Sequence, residues 1–495
     1  MDVLFDFLGV EHFQNLGTRF AEGDVTGVLQ SFGAIMWGPM TWLLLGACGL
    51  YLSFKTNWFQ ITKFVYYCKH TLGSMFKKDA TAETQKGDIT PFQAFTSAMA
   101  ATMGVGNLVG TTTAIIFGGP GAVFWMWIIG FFGITTKLAE ITLAVHFRET
   151  TPAGHILGGP MKYIERGLGK KFKWLAVMFA VAGALAAFGI GNLAQINNVA
   201  NAFETAFSMN RQITAAIVIV IVGVVIIGGV KRVGAVAEYL VPFFALIMIV
   251  GSLLVIFQNF DQIGHAFYLM VVGAFRFQSA AGGFVGAGVA LAIRYGLMRG
   301  IFSNEAGLGS APIAHAAAIT DHPIKQGLWG AIEVVLDTHV VATVVALAVI
   351  TSGAWTMEGM NATQVFMYSF SSSIIGEGLG NFFAAVSIAG FAITTMLGWS
   401  FYGEKCLEYI TSAKSNLVYK ILFLIVLFIG SYGIVPVWAV SDILNAFMAI
   451  PNIIAVILLT GIFTKILKSY FAGEKYVTYD EQNDYYLKKD QREKD

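Results

Sequence analysis

Long apolar stretches alternate with short polar segments along the whole chain, and the polar segments hold most of the charged residues. A helix needs about 20 predominantly apolar residues to cross the hydrocarbon core of a bilayer, so each long stretch predicts a membrane-spanning helix. Eleven stretches fit this description: 35–54, 90–117, 121–146, 174–206, 213–230, 234–257, 284–320, 327–351, 379–409, 417–434 and 437–466. The pattern predicts an all-α polytopic membrane protein with about 11 transmembrane helices.

Composition points to lipid as the solvent for much of the surface. Of the 495 residues, 56% are hydrophobic and only 12% are charged, whereas soluble domains carry about 25% charged residues. We therefore expect a multi-pass protein of the cell membrane. The net charge of +1 argues against nucleic acid as a partner. The three cysteines have no paired spacing and predict neither disulfides nor a thiolate metal site.

The positive charges predict the orientation of the chain. With the N-terminus placed outside, the outer segments hold only Arg19, Arg211 and Arg276, while the inner segments hold most of the lysines. Because cytoplasmic loops are enriched in Lys and Arg, this asymmetry predicts an N-out, C-in topology. It makes 1–34 an extracellular lead-in, 35–54 the first transmembrane helix, 55–89 a cytoplasmic loop, 258–283 an outer loop and 467–495 a cytoplasmic tail.

The absence of certain motifs narrows the class of function. The chain has no large hydrophilic segment and no Gly-x-x-x-x-Gly-Lys-Ser/Thr motif, which argues against a receptor or an ATP-driven pump. It also lacks the His-Glu-x-x-His and Gly-x-Ser-x-Asp motifs of intramembrane proteases. We therefore predict a transporter rather than an enzyme, with a channel as the weaker alternative.

Two apolar stretches are interrupted by glycine and polar residues. The first interruption, at 102–107, has the sequence TMGVGN and can expose the amides of Val105 and Gly106. A broken helix in a membrane is tolerated only around a cavity or an ion, so this pattern suggests a binding site. Close helix packing through Gly106 and Gly110 explains the spacing equally well.

The second interruption, at 302–312, has the sequence FSNEAGLGSAP. An ionisable residue such as Glu305 is costly inside a bilayer and suggests function, unless the stretch is a short cytoplasmic loop and Glu305 is solvated. A rival break at 282–288 is rich in glycine but has no polar ligands. We therefore favour the break at 302–309.

Other polar residues in the apolar stretches have less specific readings. Adjacent threonines at 394–395 can offer oxygens to a hard cation or bond to their own helix. Gln195 lines a cavity or bridges helices. Lys137 and Glu140, three residues apart, predict an ion pair with each other. Glu333, Asp337 and His339 predict a structural or gating role more than a proton relay.

Four runs of sequence carry a family resemblance: ATMGVGN at 101–107, GGPMKYI at 158–164, FSNEAGLGSAP at 302–312 and GWSFYGEKC at 398–406. In these runs the chain closely resembles the alanine or glycine:cation symporter family. The resemblance implies a leucine-transporter-like fold, with two inverted five-helix repeats after one extra N-terminal helix. The repeats would be 90–257 and 284–466, and the first helix of each would be a broken one.

The resemblance also implies a binding site. The substrate carboxylate would meet the amides of Val105 and Gly106, and its ammonium group would meet Thr102, Glu305 or backbone carbonyls. The implied substrate-binding residues are Thr102, Val105, Gly106, Gln195, Phe302, Glu305, Ala306, Thr395 and Trp399. One sodium ion would be held by the carbonyls of Ala100 and Met103 with Thr394 and Thr395, and a second possible one by Asn107 and Ser303.

The function implied by the resemblance is sodium-coupled import of a small neutral amino acid, alanine or glycine, by alternating access. Sodium is the coupling ion, and no other cofactor is expected. Two alternatives remain open at this point. The same fold would serve for glutamine or another neutral amino acid, or the driving ion would be the proton, with Glu305 and His339 as the titratable candidates.

Overall fold

The computed structural model describes residues 15–16, 19–20, 22–74, 87–152, 154–276, 287–374, 376–433 and 437–481. These ranges are almost entirely helical. Their only sheet is a two-stranded hairpin, in which β1 (Glu149–Thr150) pairs antiparallel with β2 (Ile156–Leu157).

The first half of the chain contains a helical N-terminal unit and the first broken helix. The N-terminal unit comprises α1 (Val25–Met36), α2 (Pro39–Lys55), α3 (Phe59–Thr62) and α4 (Phe64–His70). There follow α5 (Pro91–Thr102), α6 (Gly106–Gly118), α7 (Ala122–His146), α8 (Pro160–Lys162), α9 (Lys170–Phe207), α10 (Arg211–Ile227), α11 (Gly229–Gln258) and α12 (Ile263–Gly273). A wide π-type turn at Gly189–Leu193 interrupts α9.

The second half contains the second broken helix and the C-terminal helices. They are α13 (Ala287–Asn304), α14 (Ala311–Ala316), α15 (Pro323–Thr351), α16 (Ala362–Ser371), α17 (Gly376–Ile410), α18 (Asn416–Gly430), α19 (Val437–Leu458) and α20 (Thr460–Phe471). Another wide π-type turn, at Val335–Ala342, lies within α15.

Eight helices of the described ranges are long and apolar enough to cross a membrane, and α5 with α6 makes a ninth if the pair counts as one bent span. The shorter α10, of 17 residues, is also apolar. The prediction of an all-helical polytopic membrane protein is confirmed, while the count of eleven spans and the sidedness stay predictions. Part of the predicted outer loop, 277–283, lies outside the described residues.

The apolar side chains fall into a buried set and a set that faces outward. Nearly every residue in the second half of α7 is buried. In contrast, Ile217, Val220 and Val224 on α10, Leu246 on α11 and Ile425 on α18 are exposed. Such a large exposed apolar surface would be unstable in water, so lipid is its natural environment. The interior helices therefore carry the polar chemistry.

Two sets of helices meet at the centre. The broken pairs α5–α6 and α13–α14 pack with α7 and α15, whereas α9 packs along α17, with α10 and α18 behind them. The ends of α5 and α14 also contact α17, which links the two sets. The N-terminal α2 packs on the outside of α7.

The segment after α20 folds back onto the ends of other helices. The hydroxyl of Tyr476 lies 2.8 Å from Nδ1 of His146, at the end of α7. Asp480 pairs with Arg166, and the guanidinium of Arg166 lies 4.5 Å from the ring centre of Tyr479. These contacts fix residues 476–481 against the rest of the protein.

Close packing of α2 on α7 generates a stability prediction. A Cβ atom on Gly49 would lie 2.6 Å from the carbonyl oxygen of Phe132, so Gly49→Ala should push the helices apart and cost about 1–3 kcal/mol. Gly264→Ala is the matched control, because a Cβ there meets nothing within 4 Å. Thermal unfolding in detergent should show a lower midpoint for Gly49→Ala only, and equal midpoints would contradict the packing.

Candidate functional site

The first helix break lies where the glycines predicted it. Helix α5 begins with a capping box between Thr90 and Gln93 and ends at Thr102. After residues 103–105, α6 continues at an angle of 48° to α5. A Cβ on Gly104 would lie 2.4 Å from Oγ1 of Thr395 on α17, so no larger residue fits between the two helices. The break predicted at 102–107 is confirmed.

The second break separates α13 from α14 at residues 305–310. Three of these residues have positive φ: Glu305 (+54°), Gly307 (+93°) and Gly309 (+79°). Glycine adopts this conformation readily, whereas a residue with a Cβ pays for it in strain. The break favoured at 302–309 is therefore confirmed. Most of the rival, 282–286, lies outside the described residues.

The carboxylate of Asp337 joins the two breaks. Its Oδ1 accepts a hydrogen bond of 2.7 Å from Nδ2 of Asn107, just after the first break. Its Oδ2 accepts bonds from Oγ of Ser303 at 2.7 Å, just before the second break, and from Oγ1 of Thr338 at 2.9 Å. Asn107 and Ser303, the residues suggested for a second sodium, are thus brought together by one acidic residue, Asp337.

Asp337 was not among the predicted site residues. Its sequence signal was present, since a carboxylate within an apolar stretch marks a functional position by default. What the sequence does not reveal is the wide turn of α15, which includes Asp337. Nearby, the side-chain oxygen of Asn107 is buried and has no hydrogen-bond partner in the part of the chain that the structure describes.

The adjacent threonines of α17, Thr394 and Thr395, donate hydrogen bonds to different helices. Oγ1 of Thr395 donates to the carbonyl oxygen of Ala100 at 3.0 Å, across the gap to the end of α5. Oγ1 of Thr394 donates to the carbonyl of Phe391 on its own helix, at 2.9 Å. Met103 directly follows α5 and is buried. The structure thus places α17 beside the last turn of α5, where the first sodium was expected.

Glu305 is buried and bonded to protein groups on both oxygens. Oε1 accepts a hydrogen bond of 3.0 Å from the indole Nε1 of Trp399, and Oε2 accepts one from Oγ of Ser310. The solvated-loop reading of Glu305 is therefore wrong for this structure, because the side chain is 1% exposed. The backbone amide of Ala306, the next residue, donates a hydrogen bond of 3.0 Å to Oδ1 of Asn304.

A cavity of about 290 Å³ reaches the first break. From the predicted substrate-binding set it is lined by Val105, Gly106 and Phe302. Its remaining lining residues are mostly polar and include Asn197, Asn198, Asn201, Arg299 and Asn361. The other predicted residues, Thr102, Gln195, Glu305, Ala306, Thr395 and Trp399, lie in the buried cluster around the breaks and not on the cavity wall.

Gln195 accepts a hydrogen bond from one of the backbone amides that were expected to bind the substrate. Its Oε1 accepts a long hydrogen bond, 3.4 Å, from the backbone amide of Val105. Its Nε2 donates to the carbonyl of Ile190 in the wide turn of α9, at 3.0 Å. The side chain therefore bridges helices and at the same time touches the first break.

The predicted ion pair between Lys137 and Glu140 is wrong. Nζ of Lys137 instead lies 2.9 Å from Oε1 of Glu333 on α15, and Oε2 of Glu333 lies 3.2 Å from Nε2 of His315. Oγ1 of Thr102 also approaches Oε1 of Glu333, at 3.4 Å. Lys137 pairs with Glu333 on the neighbouring helix, and not with Glu140 three residues along its own helix, because α7 and α15 pack closely.

Comparison with known proteins decides the family. The model of the sodium:alanine symporter family matches residues 22–484. The chain belongs to this family. The sodium:alanine symporter identification made from the four sequence runs is thereby confirmed, and the protein is a multi-pass membrane transporter rather than an enzyme.

Two curated relatives and one solved structure set the range of similarity. The chain is 39% identical over 450 residues to the sodium/alanine symporter AgcS of Methanococcus maripaludis, covering 90% of this chain and 97% of that protein. It is 37% identical over 445 residues to the probable sodium/glutamine symporter GlnT of Bacillus subtilis, covering 89% and 90%. The crystal structure of MhsT in complex with L-phenylalanine aligns with a TM-score of 0.55 at 14% identity, over 76% of this chain and 90% of that one. This last likeness shows a leucine-transporter-like fold and nothing more.

The link between Trp399 and Glu305 generates a second stability prediction. Trp399→Phe removes the indole donor and leaves a buried carboxylate oxygen with one bond fewer, which should cost about 1–3 kcal/mol. Trp37→Phe is the control, since the indole nitrogen of Trp37 is buried and has no hydrogen-bond partner among the residues described. Thermal unfolding of both purified variants checks this, and an equal loss in both would show that ring size, not the bond, matters.

Proposed function

We propose that this sodium:alanine symporter family member imports a small neutral amino acid, alanine or glycine, together with sodium by alternating access. The observation that carries the proposal is the cavity whose lining includes Val105 and Gly106, at the broken first helix. Unpaired amides at the start of a helix attract carboxylates, and transporters use discontinuous helices in this way. Family membership supports the sodium coupling.

The contact between Gln195 and Val105 supports the placement of the substrate carboxylate. The carboxamide oxygen of Gln195 takes the acceptor position beside the Val105 amide. A substrate carboxylate is a stronger acceptor than a carboxamide and would displace it. The Gly106 amide follows at the start of α6, where the helix dipole adds to the attraction.

The walls of the pocket suit a small side chain. Phe302 closes against the first break, since a Cβ on Gly106 would lie 3.2 Å from its ring. Trp399, Thr102, Ala306 and Thr395 lie behind the present cavity wall, in the buried cluster around the breaks, and would line the pocket when the substrate is bound. The ammonium group would be met by the Thr102 hydroxyl, Glu305 or backbone carbonyls. A methylene group changes binding by only about 1–3 kcal/mol, so alanine and glycine need not be sharply separated.

The first sodium would sit between α5 and α17. The hydrogen bond from Thr395 to the carbonyl of Ala100 shows that these two oxygens already converge. A sodium ion would use both oxygens together with the carbonyl of Met103 and the hydroxyl of Thr394. Hard cations prefer such oxygen ligands. Binding would fix the break in α5–α6 and thereby orient the amides toward the substrate.

A second sodium would sit beside Asp337. The side-chain oxygen of Asn107, which has no hydrogen-bond partner among the described residues, and the hydroxyl of Ser303 lie around this carboxylate. A cation there would neutralise a charge that is otherwise expensive inside a membrane. It would also tie the two broken helices to α15, so that ion binding and closure are coupled.

The full topology follows the same proposal. The pairs α5–α6 and α13–α14, α7 and α15, α9 and α17, α10 and α18, and α11 and α19 would correspond in two inverted repeats, 90–257 and 284–466, giving eleven spans with the N-terminal one. The chain would be N-out and C-in. The cavity, bordered by Asn201 and Asn361 beyond the breaks, would then open outward.

Glutamine is the second candidate substrate, and the 37% identity to a probable sodium/glutamine symporter favours keeping it. Proton coupling is the alternative for the driving ion. Of its titratable candidates, Glu305 lies in the second break, whereas His339 lies 3.2 Å from the carbonyl of Trp127, between α15 and α7. Competition and ion replacement separate these possibilities.

Uptake by reconstituted protein tests the function. Radiolabelled L-alanine should accumulate in proteoliposomes above equilibrium under an inward sodium gradient, and equimolar potassium or choline should abolish accumulation. Excess glycine, D-alanine and glutamine then define the substrate by competition. Uptake that ignores sodium but follows an acid-outside gradient would contradict sodium coupling.

Removal of one hydroxyl tests the first sodium site. Thr394→Ala should raise the sodium concentration for half-maximal uptake by roughly tenfold, because one neutral oxygen ligand contributes on the order of 1.4 kcal/mol. Thr142→Ala is the control, since Thr142 is equally buried and bonds back to Leu138 on α7 at 2.7 Å. If both variants keep the native sodium dependence, the cation is elsewhere.

A further inference from the structure

Glu140 is a fully buried carboxylate without an ion-pair partner in the described ranges. Of the described lysines, the one that acts on Glu140 is Lys137, which lies one turn earlier on α7 and is paired with Glu333. Oε1 of Glu140 accepts a hydrogen bond from Nδ2 of Asn452 on α19. Its Oε2 has no hydrogen-bond partner in the part of the chain that is described.

Asn452 connects Glu140 to the second helix break. The same Nδ2 donates to the carbonyl of Gly307 at 2.8 Å, and Oδ1 of Asn452 accepts from the hydroxyl of Tyr163. The amide of Gly307 also faces the Glu140 carboxylate. Glu140 therefore lies against the amide of Gly307, and Asn452 bonds to the carbonyl of the same residue. Gly307 itself has the left-handed backbone conformation that makes the break possible.

The ionisable groups around Glu140 provide little compensation for a negative charge. The titratable groups that face it are Lys137 on its own helix, Glu333 from α15, Cys48 from α2 and Tyr163 from the turn after α8. Lys137 is the only cation in this set, and its single charge is already matched by Glu333.

Apolar packing completes the enclosure of the second break. A Cβ on Gly307 would lie 2.2 Å from Leu45 of α2 and 3.1 Å from Ile453 of α19. A buried carboxylate without an ion-pair partner is strongly unfavourable in such a place. The group must therefore be neutralised by a proton or a metal cation.

A proton fits this position better than sodium. A hard cation needs several oxygen ligands. The group between Oε1 of Glu140 and the carbonyl of Gly307 is the amide nitrogen of Asn452, which donates to both oxygens and offers no lone pair to a cation. At the first sodium site the bridging group is instead a hydroxyl oxygen, that of Thr395. Among the described side-chain atoms of Glu140 and Asn452, Oε2 of Glu140 is the one without a hydrogen-bond partner. One free oxygen is enough for a proton and too few for a coordinated ion.

We propose that Glu140 is a proton-binding site that links transport to pH through Asn452 and the Gly307 peptide. In the conformation seen here Glu140 holds the proton on Oε2, which removes the unpaired charge. Loss of the proton leaves an anion that is unfavourable in this enclosure, so deprotonation favours a rearrangement of the second break in which the carboxylate reaches water. The transport readout rests on the proposed function, whereas the proton site does not.

Infrared difference spectroscopy tests the proton site without any transport. At neutral pH the native protein should show a carboxylic-acid C=O band that Glu140→Gln lacks, while Glu140→Asp should keep an acid band at a shifted frequency. Glu404→Gln is the matched control, because the buried carboxylate of Glu404 is paired with Lys420 at 3.1 Å and should contribute no acid band. A spectrum of Glu140→Gln identical to the native one overturns the proposal, as does a Glu140→Asp spectrum without an acid band.

The pH profile of uptake tests the linkage. Sodium-driven alanine uptake by the native protein and by Glu404→Gln should change at least about threefold between about pH 6 and about pH 9, as expected when one group titrates in that interval. Glu140→Gln, which mimics the neutral acid, should lose this dependence. A variant that retains the native pH profile overturns the linkage. Absence of uptake in every protein together with the infrared band would refute the proposed function and leave the proton site standing.

Discussion

The pairing of backbone groups inside a membrane constrains everything else in this structure. Each of the two broken helices frees amides and carbonyls that lipid cannot satisfy. The protein satisfies them with buried polar side chains from distant helices: Thr395 for the carbonyl of Ala100, Gln195 for the amide of Val105, and Asn452 for the carbonyl of Gly307. The long apolar helices enclose these contacts and hold them away from the lipid.

These same contacts would allow the broken helices to change conformation. Each substitute partner is a neutral side chain, which binds a backbone group less strongly than an ion or a carboxylate does. A ligand that competes for the group would therefore move the side chain as well as the broken helix. Asp337 extends the effect, because its two oxygens bond to residues beside both breaks. Binding of a ligand at one break would therefore also affect the other.

Much of the fold and part of the site could be predicted from local sequence. The glycine pairs at 104 and 106 and at 307 and 309 predict the helix breaks, because the conformational freedom of glycine is a local property of the sequence. Partners across helices could not be predicted in this way. Asp337 meets Asn107 across 230 residues of sequence, and Lys137 prefers Glu333 to the nearer Glu140. Helix spacing rules apply to isolated helices, and packing of α7 against α15 overrides them.

The returning C-terminal segment has a consequence for how the protein is handled. Residues 476–481 bind the end of α7 through His146 and the turn after α8 through Arg166. A purification tag or fluorescent fusion joined directly behind residue 481 would pull on these attachments, and a truncation before Tyr476 would remove them. A label is therefore better placed on the N-terminal side or behind a long spacer. A conformational measurement with a label joined closely to this segment would report on the disturbed attachment of the segment itself.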